Sequence, residues 1–111
     1  MKVEIVNGAD GVLIVIVAGR MDIAGVGAAE PSFNAVAASR GKVILDFSGV
    51  EFLASLGMRT LVMTAKAVAS KGGGVVILNP QANVEKALRT AGLDSIIPIV
   101  ASREAADRHF S

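Results

Sequence analysis

Residues 43–63, VILDFSGVEFLASLGMRTLVM, set the tightest limit on what this chain can become. Val43, Ile44 and Leu45 form a continuous apolar run of the kind found in a strand covered on both faces, with Asp46 at its end. Ser48-Gly49 reads as a turn, and Phe52-Leu53 as a hydrophobic step before Ala54-Ser55-Leu56-Gly57. From Leu56 onward, Leu61, Val62, Ala65, Val68 and Ala69 recur at intervals of three and four, the spacing of one helix face. Ser55 then falls at the N-cap, where a hydroxyl accepts a hydrogen bond from an otherwise unpaired first-turn amide. The positive helix end and its free N–H groups would also tolerate a phosphate on that hydroxyl.

The flanking segments continue the alternation of strand and helix. Val3, Ile5 and Val6 read as an opening strand, and the turn-rich Asn7-Gly8-Ala9-Asp10-Gly11 leads into the largely β-branched run 12–18, predicting an antiparallel hairpin with a buried second strand. Gly19-Arg20-Met21-Asp22 ends that strand. Residues 23–30 contain Gly25-Val26-Gly27, but the third glycine of a dinucleotide fingerprint is missing and the preceding strand belongs to a hairpin, so the segment reads as a flexible loop. Pro31 can start the next helix, whose apolar face is Phe33, Val36 and Ala37 and whose end is Arg40-Gly41. After the central strand and helix, Lys71-Gly72-Gly73-Gly74 terminates the helix, and 75–78 is a further apolar strand. A helix near 82–90 carries Val84, Ala87, Leu88 and Ala91 on one side and is capped by Gly92, with Leu93 packing back. Residues 96–100 form a last strand, at an edge because of Pro98, and Ser102 caps a terminal helix that docks through Ala105, Ala106 and Phe110. Strands this apolar alternating with helices predict a mixed α/β layer of four or five strands with helices mainly on one side.

At 111 residues the chain suits one domain spanning residues 1–111, large enough to bury roughly 65% of its unfolded surface without metal or disulfide staples. It has no cysteine, which excludes thiol chemistry. A net charge of +1, with Lys and Arg scattered from Lys2 to Arg108, argues against nucleic acid as a partner. No apolar run approaches the roughly 20 residues of a membrane helix, and the start lacks a signal-peptide pattern, so the expectation is a soluble cytoplasmic domain without direct membrane insertion.

The segment DFSGVEFLASLGMRTLV resembles the STAS domain, and specifically the anti-sigma factor antagonists, in which a strand leads through a hydrophobic dipeptide into Asp-Ser-Ser/Thr/Ala-Gly-Leu. Aligned on Phe52 and Gly57, Ser55 falls on the serine that family kinases phosphorylate, Leu56 on the variable small residue and Met58 on the following Leu. The acidic residue that usually precedes the serine is Ala54 here. Gly19-Arg20-Met21-Asp22 matches the family's Gly-x-(Leu/Ile)-Asp, which closes the second strand and brings the Asp near the serine. Asn79-Pro80 and Ala91-Gly92-Leu93 match its later loop and (Ser/Thr/Ala)-Gly-Leu. The resemblance covers essentially the whole chain and implies the STAS-like plan of four to five strands with about four helices.

Catalytic groups are few. His109 is the only histidine, and without a second imidazole or a thiolate a zinc site would need carboxylates alone, so no metal site and no cofactor are expected. Asp22, Asp46 and Ser55 form the one plausible constellation: if their strands are neighbours, both carboxylates lie near the edge where the Ser55 helix starts. A serine triad would still lack its base, so the chain is not expected to be an enzyme. By spacing alone, Ser55 can equally be a plain N-cap and Asp46 a plain strand end. Leu53, Leu56 and Met58 surround Ser55; they either face outward as a binding surface or lie buried under the 22–30 loop.

The resemblance implies a partner-switching module. Asp22, Leu53, Ala54, Ser55, Leu56, Gly57 and Met58 would form the docking face for an anti-sigma factor of the ATP-binding serine kinase type. Phosphorylation of Ser55 would release that partner, and a serine phosphatase would reset the module, with ATP belonging to the kinase. The alternative is a constitutive scaffold STAS subunit of a membrane-associated complex, such as one for lipid transport, which the missing acidic residue at Ala54 fits.

Overall fold

The computed structural model describes residues 1–8 and 10–110. Among them, five strands form one sheet: β1 (Lys2–Asn7), β2 (Leu13–Met21), β3 (Lys42–Leu53), β4 (Gly74–Leu78) and β5 (Ile99–Val100), side by side in chain order. The four helices are α1 (Ile23–Ala37), α2 (Ser55–Ser70), α3 (Ala82–Thr90) and α4 (Arg103–Phe110). β1 and β2 make the expected antiparallel hairpin, while β2 through β5 are parallel, each joined to the next by a connection that carries a helix. Of the turn between β1 and β2, Ala9 lies outside the described residues; Gly8 N–H donates to the Val12 carbonyl at 2.8 Å.

Side-chain alternation along the strands sorts the core onto two faces. Val15, Val17, Val43, Leu45, Phe47, Val75 and Ile77 pack with Val26, Phe33, Leu61, Val68 and Leu88 of α1, α2 and α3. On the opposite face, Ile44 and Val76 pack with Ala106 of α4, and Phe110 closes over them. Three helices therefore cover one side and one covers the other, as the amphipathic patterns predict. α4 begins at the expected cap, Ala105 N–H donating to Ser102 Oγ at 3.1 Å, and Arg103 ties it to the hairpin turn through Asp10 at 2.9 Å. Among the described residues, no helix is long and apolar enough to cross a membrane.

The structure corrects the reading in four places. Residues 23–30 are not a flexible loop, and Pro31 does not start a helix: α1 begins at Ile23 and carries Pro31 in its interior. Val26, Ala29, Phe33 and Val36 recur at helical spacing and are buried, so tertiary packing outweighs the roughly 1 kcal/mol that each glycine costs a helix interior. Gly25 is there for closeness, since a Cβ on it would strike the Arg20 carbonyl. α1 also ends earlier than expected, at Ala37 with Ala38 as its cap, leaving Arg40-Gly41 in the connection to β3. Ser48-Gly49 is not a turn. β3 runs through it, and the pairing with β2 steps from Ile16↔Asp46 to Ala18↔Gly49, a bulge that places one extra residue in β3. Carbonyls freed along this irregular stretch are met from the start of α3, its cap Gln81 donating to Ser48 at 3.0 Å and Asn83 to Glu51 at 2.9 Å. Finally, the last strand is only Ile99–Val100, because Leu93–Ser95 form a 3₁₀ turn and Ile97 is buried ahead of Pro98.

Candidate functional site

β2 and β3 end together. Met21 is paired with Leu53, and the Ala54 N–H donates to the Met21 carbonyl at 3.0 Å, so the chains leaving the two strands start α1 and α2 side by side. Asp22 is the N-cap of α1: its Oδ1 accepts from the Gly25 N–H at 2.8 Å and its Oδ2 from Arg20 Nε at 3.4 Å. The amide bond holds its carboxyl below the ordinary 3.8, opposed by partial burial and assisted by Arg20. Both oxygens are thus engaged within their own neighbourhood, and no hydrogen bond joins Asp22 to the Ser55 hydroxyl. Because the folded-state pKa is the lower one, the stabilisation from this carboxylate is present above 3.8 and is lost as pH falls through the folded value. Asp22→Asn keeps an acceptor but not the charge. The variant is expected to be less stable than wild type at pH 7, with the difference shrinking as the pH is lowered below 3.8, as urea unfolding across that range would reveal.

Ser55 is the first residue of α2, not its cap. Ala54 holds that position, with φ −91° and ψ 169°, and no side chain caps the helix. The difference arises because the Met58 N–H donates to the Ala54 carbonyl at 3.1 Å, drawing residue 55 into the first turn. Gly57 makes this possible. A Cβ there would come within 3.0 Å of the Met21 carbonyl and 2.8 Å of Leu53 Cδ1, so only glycine lets α2 sit this close to the end of β2. The Ser55 side chain is exposed, its hydroxyl is not spent on capping, and the first turn holds no acidic residue.

The surrounding residues divide by burial. Leu53, 7% exposed, points into the core, and Gly57 is buried against Leu53 and Met21, so neither offers surface, which corrects their assignment to the docking face. Ala54 and Met58 are half-buried, and Leu56 is exposed. Asp46 does not join Asp22 and Ser55: six residues of β3 lie between it and Leu53, roughly 20 Å at strand rise. Its Oδ1 accepts instead from the Ser48 hydroxyl at 2.7 Å and the Ser48 N–H at 3.0 Å at the bulge. Sequence reasoning missed Phe52, Ile23 and Met63, all exposed, and Arg20, whose guanidinium lies 4.4 Å from the centre of the Phe52 ring. Met63 was legible from its place seven residues after Leu56 on α2; Ile23 was hidden by the loop reading.

Comparison with known proteins agrees with this architecture. The family model described as the STAS domain matches residues 5–106. BtrV of Bordetella bronchiseptica, named as an anti-sigma factor antagonist, is 29% identical over 102 residues, covering 91% of this chain and 88% of that protein. The crystal structure of an anti-sigma factor antagonist from Mycobacterium paratuberculosis superposes with a TM-score of 0.86 at 26% identity, over 98% of this chain and 92% of the other. The Bacillus protein SpoIIAA, solved unphosphorylated and phosphorylated, matches with TM-scores of 0.76 and 0.70 at 19% and 18% identity, over 96% of this chain and 95% and 98% of those. At that identity the likeness to SpoIIAA is one of fold.

Proposed function

We propose, from the premise that this chain belongs to the STAS domain family, that it is an anti-sigma factor antagonist acting by partner switching. The observation that carries the proposal is the exposed Ser55 hydroxyl, on an uncapped helix start and beside the exposed apolar Leu56. Unmodified, the face formed by Asp22, Ala54, Ser55, Leu56 and Met58 docks on a cytoplasmic anti-sigma factor of the ATP-binding serine kinase type. The kinase transfers a phosphoryl group to Ser55, and the added charge of about −1.5 to −2 is disfavoured at the desolvated contact, so the partner leaves. In the free chain the same phosphate is exposed to water and faces the unpaired first-turn amides of α2, so release needs no refolding. A serine phosphatase restores the hydroxyl. No chemistry is required of the chain itself; His109 is exposed at the end of α4, which packs on the sheet face opposite α2.

A second reading, a constitutive scaffold subunit of a membrane-associated complex, is favoured by Ala54, which leaves no carboxylate beside the acceptor for a kinase to recognise. One experiment separates the two. Incubated with ATP and the kinase partner captured on the immobilised chain, wild type is expected to gain a single phosphate and Ser55→Ala none. Phosphate at another position, or on both proteins, defeats the switching reading, and a captured transporter ATPase that leaves the chain unmodified supports the scaffold.

A further inference from the structure

α1 and α2 do not close fully on one another. Between them lies a groove of about 400 Å³, within the range of small-molecule sites, with apolar walls from Val26, Phe33, Ala37, Leu56, Met63 and Ala67. Thr64 stands in its wall at 4% exposure, the one buried polar side chain among the described residues. Its hydroxyl makes no hydrogen bond to the protein and is not sealed away, so it opens into the groove. A hydroxyl kept in such a wall costs stability unless something in the groove receives it.

The charges at the mouth are equally unpaired. Arg59 of α2 and Glu30 of α1 both line the groove, and neither forms an ion pair with a described residue. The two helices follow parallel strands, so their starts lie together at the Val26 and Leu56 end; the start of α1 is capped by the Asp22 carboxylate, while that of α2 has neither a side-chain cap nor an acidic residue in its first turn. An anionic head group is therefore drawn to the Arg59 lip and kept from the Glu30 lip.

We propose that this groove binds a small amphipathic carboxylate. The apolar body lies between α1 and α2, the carboxylate is held by Arg59, and an oxygen on the body accepts from the Thr64 hydroxyl. The proposal does not depend on phosphorylation or on a sigma-factor partner. It is tested by titrating the full ¹⁵N-labelled chain with 3-hydroxydecanoate below its micelle concentration, with decanoate and decanol as comparators.

Saturable shifts confined to α1 and α2 are expected, with 3-hydroxydecanoate binding tighter than decanoate and decanoate tighter than decanol. Arg59→Gln is expected to weaken both acids about fivefold and leave decanol unchanged. Thr64→Val is expected to abolish the advantage of 3-hydroxydecanoate over decanoate. Absence of saturable shifts in the groove with wild type overturns the site, and equal binding of the acids and decanol overturns the assignment of Arg59.

Discussion

Phosphorylated on Ser55, the chain is expected to bind its anti-sigma partner about a hundredfold more weakly than the unmodified chain. The magnitude follows from burying an unpaired charge at a contact, which costs about 2–5 kcal/mol where every 1.4 kcal/mol is tenfold. The asymmetry between free and bound states decides the direction. In the free chain the phosphate would be exposed on an uncapped helix start with no acidic side chain in its first turn. At the proposed interface the same group would have to shed water against a partner surface that receives a neutral hydroxyl. Isothermal titration of the two forms against the partner measures the ratio, and equal affinities would mean that docking leaves Ser55 in water.

Phe47→Ala is expected to destabilise the fold by about 4 kcal/mol and to lower the thermal midpoint by roughly 15 °C. Phe47 is fully buried in the middle of β3, at the bulge just past the last residue paired with β4, and faces the three-helix side of the core. Truncation leaves a cavity that the β3 bulge beside it cannot collapse into, because Ser48 is already held by Asp46 and Gln81. The neighbouring Ser48→Ala, at an exposed position, loses only surface hydrogen bonds and is expected to cost under about 1 kcal/mol. Calorimetric unfolding of both variants checks the contrast; a loss below about 1 kcal/mol for Phe47→Ala would refute this account of the core.

Much of the site was legible before the fold. The apolar run at Val43-Ile44-Leu45 and the three-and-four spacing after Leu56 both survive in the structure, since each buries one continuous stripe or both faces of a single element. The position of Ser55 at a helix start follows from where the helical spacing begins. That the hydroxyl is free and not a cap was invisible, because it depends on the bond between Met58 and Ala54 and on the approach of Gly57 to Met21. That the Asp22 oxygens are engaged by Gly25 and Arg20 was equally invisible, because it depends on how the chain turns from β2 into α1.

The sequence by itself determined the strands other than the second half of β3 and the extent of β5, the helices other than the first half of α1, and the serine at the start of α2, because periodicity and turn chemistry act over a few neighbouring residues. Tertiary structure alone decided what the ambiguous signals meant. Gly25, Gly27 and Pro31 weaken a helix locally, but the burial of Val26, Phe33 and Val36 against the sheet outweighs them. Ser48-Gly49 signals a reversal locally, but pairing with β2 and hydrogen bonds from α3 hold the strand straight through a bulge. Which residues around Ser55 face outward was settled in the same way, by contacts with segments more than thirty residues distant, whose contribution no local pattern contains.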